Sequence, residues 1–378
     1  MRARELSLVV GELPTGPANA ITDVRGVRVG HTTLVRGDDV RTGVTAILPH
    51  AGNLFRDRVY AGVSPFNGYG QLTSSLVVDE WGLIGSPIVI TDTVGVGVGY
   101  AAVVEHLVAA DATAGIADVP MPVVAECDDG FLNDNRRVAL TTADVRAAID
   151  GAAAGPVAEG SVGAGTGMQL FEWKGGIGTS SRVVADADGR SYTVGVLVNT
   201  NFGLARQLTI LGAPIGRALA GPRAEAAARR HGEGSCVVVV ATDAPLHPLQ
   251  LRRLARRSDA GLARTGSVAH DGSGEIALAF STAQLVPRES DALRQVALIP
   301  EGQDWRAGTL LDGLFSAVAE ATEEAVLNAL FTATTVTGRA GNTLHRLDPE
   351  TALAEVARLS PWAVAGAAEP AAPAATGS

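Results

Sequence analysis

Residues 231–246 read HGEGSCVVVVATDAPL, with a glycine and a serine set directly ahead of an apolar run. Cys236 to Ala241 has the composition of a buried strand, and Gly234-Ser235 stands at its mouth. The plain reading is a loop ending where a strand begins. A sharper chemistry opens if the chain is cut between the two residues. A free α-amino group titrates at roughly 7.7–8.0, so a new N-terminal serine carries a base beside its own hydroxyl. Gly234 leaves Ser235 Oγ room to attack the preceding carbonyl. Cys236 falls on the opposite face of a regular strand and reads as packing.

Other chemistries are less well supported. GVGVG (95–99) lies between a strand and a helical pattern, yet the spacing is not G-x-G-x-x-G and no Walker lysine follows. It reads as a tightly packed strand–helix turn. GAGTGM (163–168) and KGGIG (174–178) are turns, or places where backbone N–H groups approach a ligand. None of the seven histidines pairs at metal-ligand spacing and no CxxC occurs, so no metal and no cofactor are expected. Glu126, Asp128, Asp129 and Asp134 in AECDDGFLND suit a hard cation or a substrate ammonium, but read first as a solvated turn. There is no G-x-S-x-G elbow.

The elements that must position these residues come from a 378-residue chain that is 46% hydrophobic and 19% charged, a well-packed globular composition. Apolar strand patterns at 27–34, 42–49, 86–95, 121–129, 173–184, 192–203, 236–246 and 275–284 alternate with helical ones at 99–111, 141–155, 247–265 and 309–333. The last is one long helix or a pair. Residues 205–234 lack core periodicity and read as an exposed connector. The Ala/Pro-rich end, 366–378, reads as a disordered tail. Interleaved strands and helices argue for α/β or α+β with sandwiched sheets.

A net charge of −10 and the absence of a basic block beyond Arg252, Arg253, Arg256 and Arg257 argue against nucleic acid. That arginine cluster has helical spacing and reads as a solvated face. Two cysteines, no signal-peptide pattern and no run of 18 apolar residues lead to the expectation of a cytoplasmic protein without a membrane partner.

The ordered set GPANAITDVRGVRVGHTT, RTGVTAILPH, GFLND, GAGTGM, KGGIGTSSR, VGVLVNTNFG, GSCVVVVATDAPL and DGSGEIALAFST resembles the self-processing DmpA-type L-aminopeptidase/D-esterase family, peptidase family S58. The resemblance runs from about residue 15 to 345. It implies an α+β four-layer αββα sandwich, similar to N-terminal nucleophile hydrolases with different connectivity. Residues 1–234 and 235–365 would be the two parts of one catalytic domain. It further implies cleavage at Gly234-Ser235, with Ser235 as nucleophile and Ser273 and Glu275 holding its amine. Asn201 would donate to the oxyanion. Lys174 would lie near the cleavage site, aiding the oxyanion or pairing with Glu275. Phe131 stands where some members carry a tyrosine hydroxyl, which puts the substrate profile rather than the fold in question. Trp81, Phe131 and Met168 are candidate apolar walls of a substrate pocket.

The activity implied is release of N-terminal residues from small peptides, amides or esters through an acyl-enzyme. Processed heterodimers would associate, as a tetramer by resemblance. The rival readings are an ω-amino-acid oligomer hydrolase, which in the related enzymes uses threonine, an uncleaved small-molecule binding protein, and acyl transfer to an amine.

Overall fold

The computed structural model describes residues 1–186, 188–220, 233–302 and 309–361. Two sheets lie face to face, with helices covering both outer sides. The smaller sheet has the order β1-β2-β5-β6, with β1 at Arg28–Arg36, β2 at Val40–Leu48, β5 at Ile88–Thr91 and β6 at Val123–Glu126. The larger has the order β4-β3-β12-β11-β10-β9. Its strands are β3 (Asp57–Gly68), β4 (Leu83–Ile84), β9 (Ile177–Ala185), β10 (Ser191–Asn201), β11 (Glu233–Thr242) and β12 (Gly272–Pro287). Two short hairpins, β7–β8 (Gln169–Leu170, Trp173–Lys174) and β13–β14 (Val336–Thr337, Thr343–Leu344), complete the strands among the described residues.

Alternation along each strand assigns residues to three apolar layers. Ile47, Ile88 and Ile90 of the small sheet meet Leu197, Val237, Val239 and Leu278 of the large one in the central layer. Val196, Cys236, Val238 and Ala277 face the other way, against helices α5 (Pro248–Ala255), α6 (Ser258–Arg264) and α7 (Leu310–Thr332). Val44, Val89 and Val124 pack beneath α2 (Val96–Ala110) and α3 (Thr142–Asp150). This is the expected four-layer αββα sandwich. Helix α1 (Ser75–Trp81) sends Val78 into the central layer, α4 (Gly216–Leu219) packs Leu219 against the helix-side layer, and α8 (Pro349–Leu359) closes the described chain.

Local chemistry explains the departures from the sequence patterns. The strand expected at 86–95 ends at Thr91, and the glycines that follow open α2. A Cβ on Gly99 would stand 3.0 Å from Val124 Cγ1, so GVGVG brings the helix close onto β6. Thr93–Ala110 is long and apolar enough to cross a membrane, but its Ala102, Val103 and Leu107 are buried in the outer layer over the small sheet. The helix expected at 247–265 is two, because Ser258 Oγ donates back to Ala255 O at 2.8 Å and turns the chain.

Residues 205–220 are not an exposed connector. Leu208, Ile210, Ala213 and Ile215 are buried in the helix-side layer. Residues 221–232 and the tail read at 366–378 lie outside the described residues. Strand β3, outside the apolar strand patterns of the sequence, sits beside β12 within the large sheet. Its Gly62 lets α5 approach, since a Cβ there would fall 2.3 Å from Arg252 N. Its Pro65 lies where the β3–β12 register slips between Glu275 and Ile276.

Helix α7 carries acids into the interior. Arg182, fully buried, donates to Glu320 at 3.0 Å and Glu324 at 2.7 Å, and Arg4 reaches Glu324 at 2.9 Å. These charges are paired and hydrogen-bonded, which offsets the desolvation of each.

Candidate active site

Ser235 enters the large sheet between two strands that bring its partners. On one side β10 runs antiparallel and sets Asn201 directly opposite Ser235. Asn201 Nδ2 lies 3.3 Å from Ser235 Oγ and donates to it. The orientation of that amide is fixed from behind, because its Oδ1 accepts from Gln169 N at 3.1 Å. Gln169 is held there by the β7–β8 hairpin, whose two linking residues, Phe171 and Glu172, both have left-handed backbones (φ 49° and 66°). Two such non-glycine residues in a two-residue turn store strain, as site-building turns do. Gly203, at φ 85°, turns the chain away after Asn201 where a Cβ would strike the Phe171 ring at 2.4 Å.

On the other side β12 runs parallel to β11 and pairs Ser273 with Gly234 and Glu275 with Cys236. Sheet alternation therefore puts Ser235 Oγ and Asn201 on one face, and Ser273 and Glu275 beside Gly234 on the other. A Cβ on Gly234 would stand 2.9 Å from Ser273 Oγ and 3.1 Å from Asn201 O, so the position is crowded from both neighbouring strands. Ser273 Oγ donates to Glu275 Oε1. Glu275 Oε2 is buried without a hydrogen-bond partner, and burial pushes the carboxyl above its ordinary value. The pair thus lies on the strand next to Gly234-Ser235, on the face opposite the Ser235 hydroxyl.

Lys174 is fully buried, and its Nζ donates to Gly165 O at 2.8 Å and Gly175 O at 2.7 Å. Burial lowers the ammonium to about 7, and the nearby Asp129 charge opposes that shift in part. The expected pairing of Lys174 with Glu275 is not formed. The lysine instead ties together the glycine turns GAGTG and KGG, whose carbonyls supply acceptors that Glu275, on another face, does not.

A cleft of about 1340 Å³ opens over Ser235. Phe131 lines it, as do Asn201, Gly234, Glu126 and Asp128. The other two expected wall residues do not. Trp81, 62% exposed, ends α1 on the surface, and Met168 is buried in the layer between the sheets. Aromatic and thioether type alone had singled them out, without an element to place them.

Sequence reasoning left Glu126 among four acids, and the structure separates them. Glu126, at the end of β6, accepts from Gln71 N at 3.0 Å and from the Thr93 hydroxyl, and burial raises its carboxyl. Asp128 also faces the cleft, accepting from Gly130 N at 3.0 Å and from Asn135 Nδ2. Asp129 is buried, and Asp134 pairs with Arg136 at 2.8 Å. The signal that separates Glu126 is its place at the C-terminal end of an apolar strand.

The arrangement unites a serine that follows a glycine, an amide donor on its hydroxyl and a buried carboxylate on the neighbouring strand, under a cleft with acids on its wall. That is the equipment of a hydrolase acting on small amides. The model of peptidase family S58 matches residues 19–344, and the chain belongs to that family. It is an aminopeptidase. The chain is 44% identical over 372 residues to the β-peptidyl aminopeptidase BapA of Sphingosinicella microcystinivorans, covering 92% of this chain and 89% of that one. Among solved structures it is similar to the L-aminopeptidase D-Ala-esterase/amidase of Ochrobactrum anthropi. That match has a TM-score of 0.86 and 40% identity, and it covers 94% of this chain and 98% of the other. It is similar as well to a Burkholderia sp. β-aminopeptidase, with a TM-score of 0.85 and 40% identity over 95% and 99% of the two chains. The structure from Ochrobactrum is described as a variant of the Ntn hydrolase fold.

Proposed function

We propose that the chain cuts itself between Gly234 and Ser235 and then removes N-terminal residues from short peptides and amides through an acyl-enzyme on Ser235. The observation that carries this reading is the buried, unpartnered Glu275 Oε2 on β12, the strand that pairs with β11 at Gly234-Ser235. Cleavage turns the Ser235 nitrogen from an amide into an amine and supplies donors for that carboxylate.

In the first stage Ser235 Oγ attacks the Gly234 carbonyl carbon, and the C–N bond breaks as the nitrogen takes the hydroxyl proton. Water then hydrolyses the ester, leaving a Gly234 carboxylate and a Ser235 amine. In the second stage the amine removes the Oγ proton as Oγ attacks the substrate carbonyl. Asn201 Nδ2 and backbone N–H groups stabilise the oxyanion. The amine returns its proton to the leaving nitrogen, and water releases the acyl group. Glu126, in the cleft wall, receives the free amino group of the substrate. The names of the relatives point to β-aminoacyl substrates, and the processed dimers associate into larger oligomers.

The test is hydrolysis of β-alanyl-p-nitroanilide by the wild-type protein and by Ser235→Ala. The wild type is expected to turn it over and the variant to show no activity and no cleavage. Equal activity in the two would overturn the assignment of Ser235.

A further inference from the structure

Among the described residues that line the cleft, Arg339 is the only Lys or Arg, while Glu126, Asp128 and Glu172 are its acids. Arg339 opens a short turn, Arg339–Gly341, and its backbone N–H donates to Leu132 O at 2.8 Å. Asn342 Nδ2 donates to Phe131 O at 2.8 Å. These bonds fasten Arg339 to the wall formed by residues 131–132. Glu126 belongs to a different wall, where Gln71 and Thr93 hold it. Arg339 and Glu126 thus stand on different segments of the cleft.

The Arg339 side chain is half-buried, and its Nε is buried with no hydrogen-bond partner. Two buried or partly buried arginines elsewhere in the fold have carboxylate partners: Arg182 has Glu320 and Glu324, and Arg288 has Asp118. Among the described residues no carboxylate forms an ion pair with Arg339. A guanidinium drawn partly out of water without a counter-charge bears a desolvation cost that a bound anion offsets. Its planar fork matches a carboxylate through two parallel N–H···O bonds.

We propose that Arg339 captures the free α-carboxylate of the amino acid that leaves, so that the site selects short peptides with both termini free. The inference rests on the reading of Ser235 as nucleophile and Glu126 as the amine acceptor. A zwitterionic dipeptide then spans the cleft, with its ammonium at Glu126, its carboxylate at Arg339 and its amide carbonyl at Ser235. A peptide whose C-terminus is amidated loses the second anchor.

The experiment compares β-alanyl-leucine with β-alanyl-leucinamide as substrates of the processed enzyme. The wild type is expected to favour the acid about tenfold or more in kcat/KM, chiefly through KM. Arg339→Gln brings the acid-to-amide ratio close to unity, and Arg339→Lys keeps part of it. Product inhibition of the wild type gives a readout that needs no variant: leucine competes and leucinamide does so at least about tenfold more weakly. A processed enzyme that hydrolyses both substrates equally, or a ratio that survives in Arg339→Gln, overturns the role of Arg339 alone. A chain that stays intact at Gly234 and hydrolyses neither substrate overturns both the role of Arg339 and the reading beneath it.

Discussion

Asn201 and Ser235 face each other across the antiparallel pair β10–β11, with Asn201 Nδ2 3.3 Å from Ser235 Oγ. The amide cannot turn away without giving up the bond that Gln169 N makes to its oxygen. A donor held from behind in this way is preorganised for the charge that develops when Oγ attacks a carbonyl.

Replacing Asn201 by alanine is therefore expected to lower kcat by about 10²–10³ with a small change in KM. Steady-state kinetics on β-alanyl-p-nitroanilide with processed protein checks this. A loss confined to KM would place Asn201 in substrate binding instead.

In the proposed mechanism Glu275 acts from the other side, through charge. An ionised carboxylate beside the Ser235 amine favours the protonated amine and raises its pKa. Glu275→Gln removes that charge, so the amine sheds its proton at lower pH. The ascending limb of the kcat/KM profile is expected to move down by about 1 pH unit, alongside a lower maximum rate. An unmoved limb in an active, processed variant would separate Glu275 from the base.

Lys174 supplies a stability signature. Burial lowers its ammonium from 10.5 to about 7. Between those values the unfolded chain holds a proton that the folded chain has shed, so unfolding takes one up. Raising the pH through that window stabilises the fold, with a slope approaching about 1.4 kcal/mol per unit. Lys174→Met lacks this slope and strands the carbonyls of Gly165 and Gly175, at a cost of about 1–3 kcal/mol. The wild-type advantage in urea unfolding should widen from pH 7 to 9.5. Cys127 and Cys236, whose thiols burial raises, are common to both proteins and cancel. A gap that stays constant with pH contradicts the buried, neutral lysine.

Much of this site was written in the order of short sequence segments. GSCVVVV, NTNFG and DGSGEI each end or begin a strand, and strand ends of one sheet meet at one edge, so Ser235, Asn201, Ser273 and Glu275 converge. What the segments do not carry is the face each residue takes. DGSGEI alone reads as a hairpin loop, whereas parallel pairing with β11 draws it into β12 and sets Ser273 beside Gly234. Residues 205–220 misled because alanine, glycine and arginine surround the four apolar residues that reach the core. Trp81 and Met168 were chosen by residue type, and only packing reveals that one lies on the surface and the other between the sheets. Glu126 and Arg339, more than 200 positions apart, meet only in the cleft that both line.

The central claim is that Ser235 becomes an N-terminus. Intact mass under denaturing conditions on freshly purified protein tests it most directly. Cleavage at Gly234-Ser235 predicts fragments 1–234 and 235–378, about 24 and about 15 kDa of the 38.6 kDa chain by share of length, with the smaller beginning Ser-Cys-Val. A single mass at full length from an active preparation would contradict it, because Ser235 would then have no amine to serve as its base.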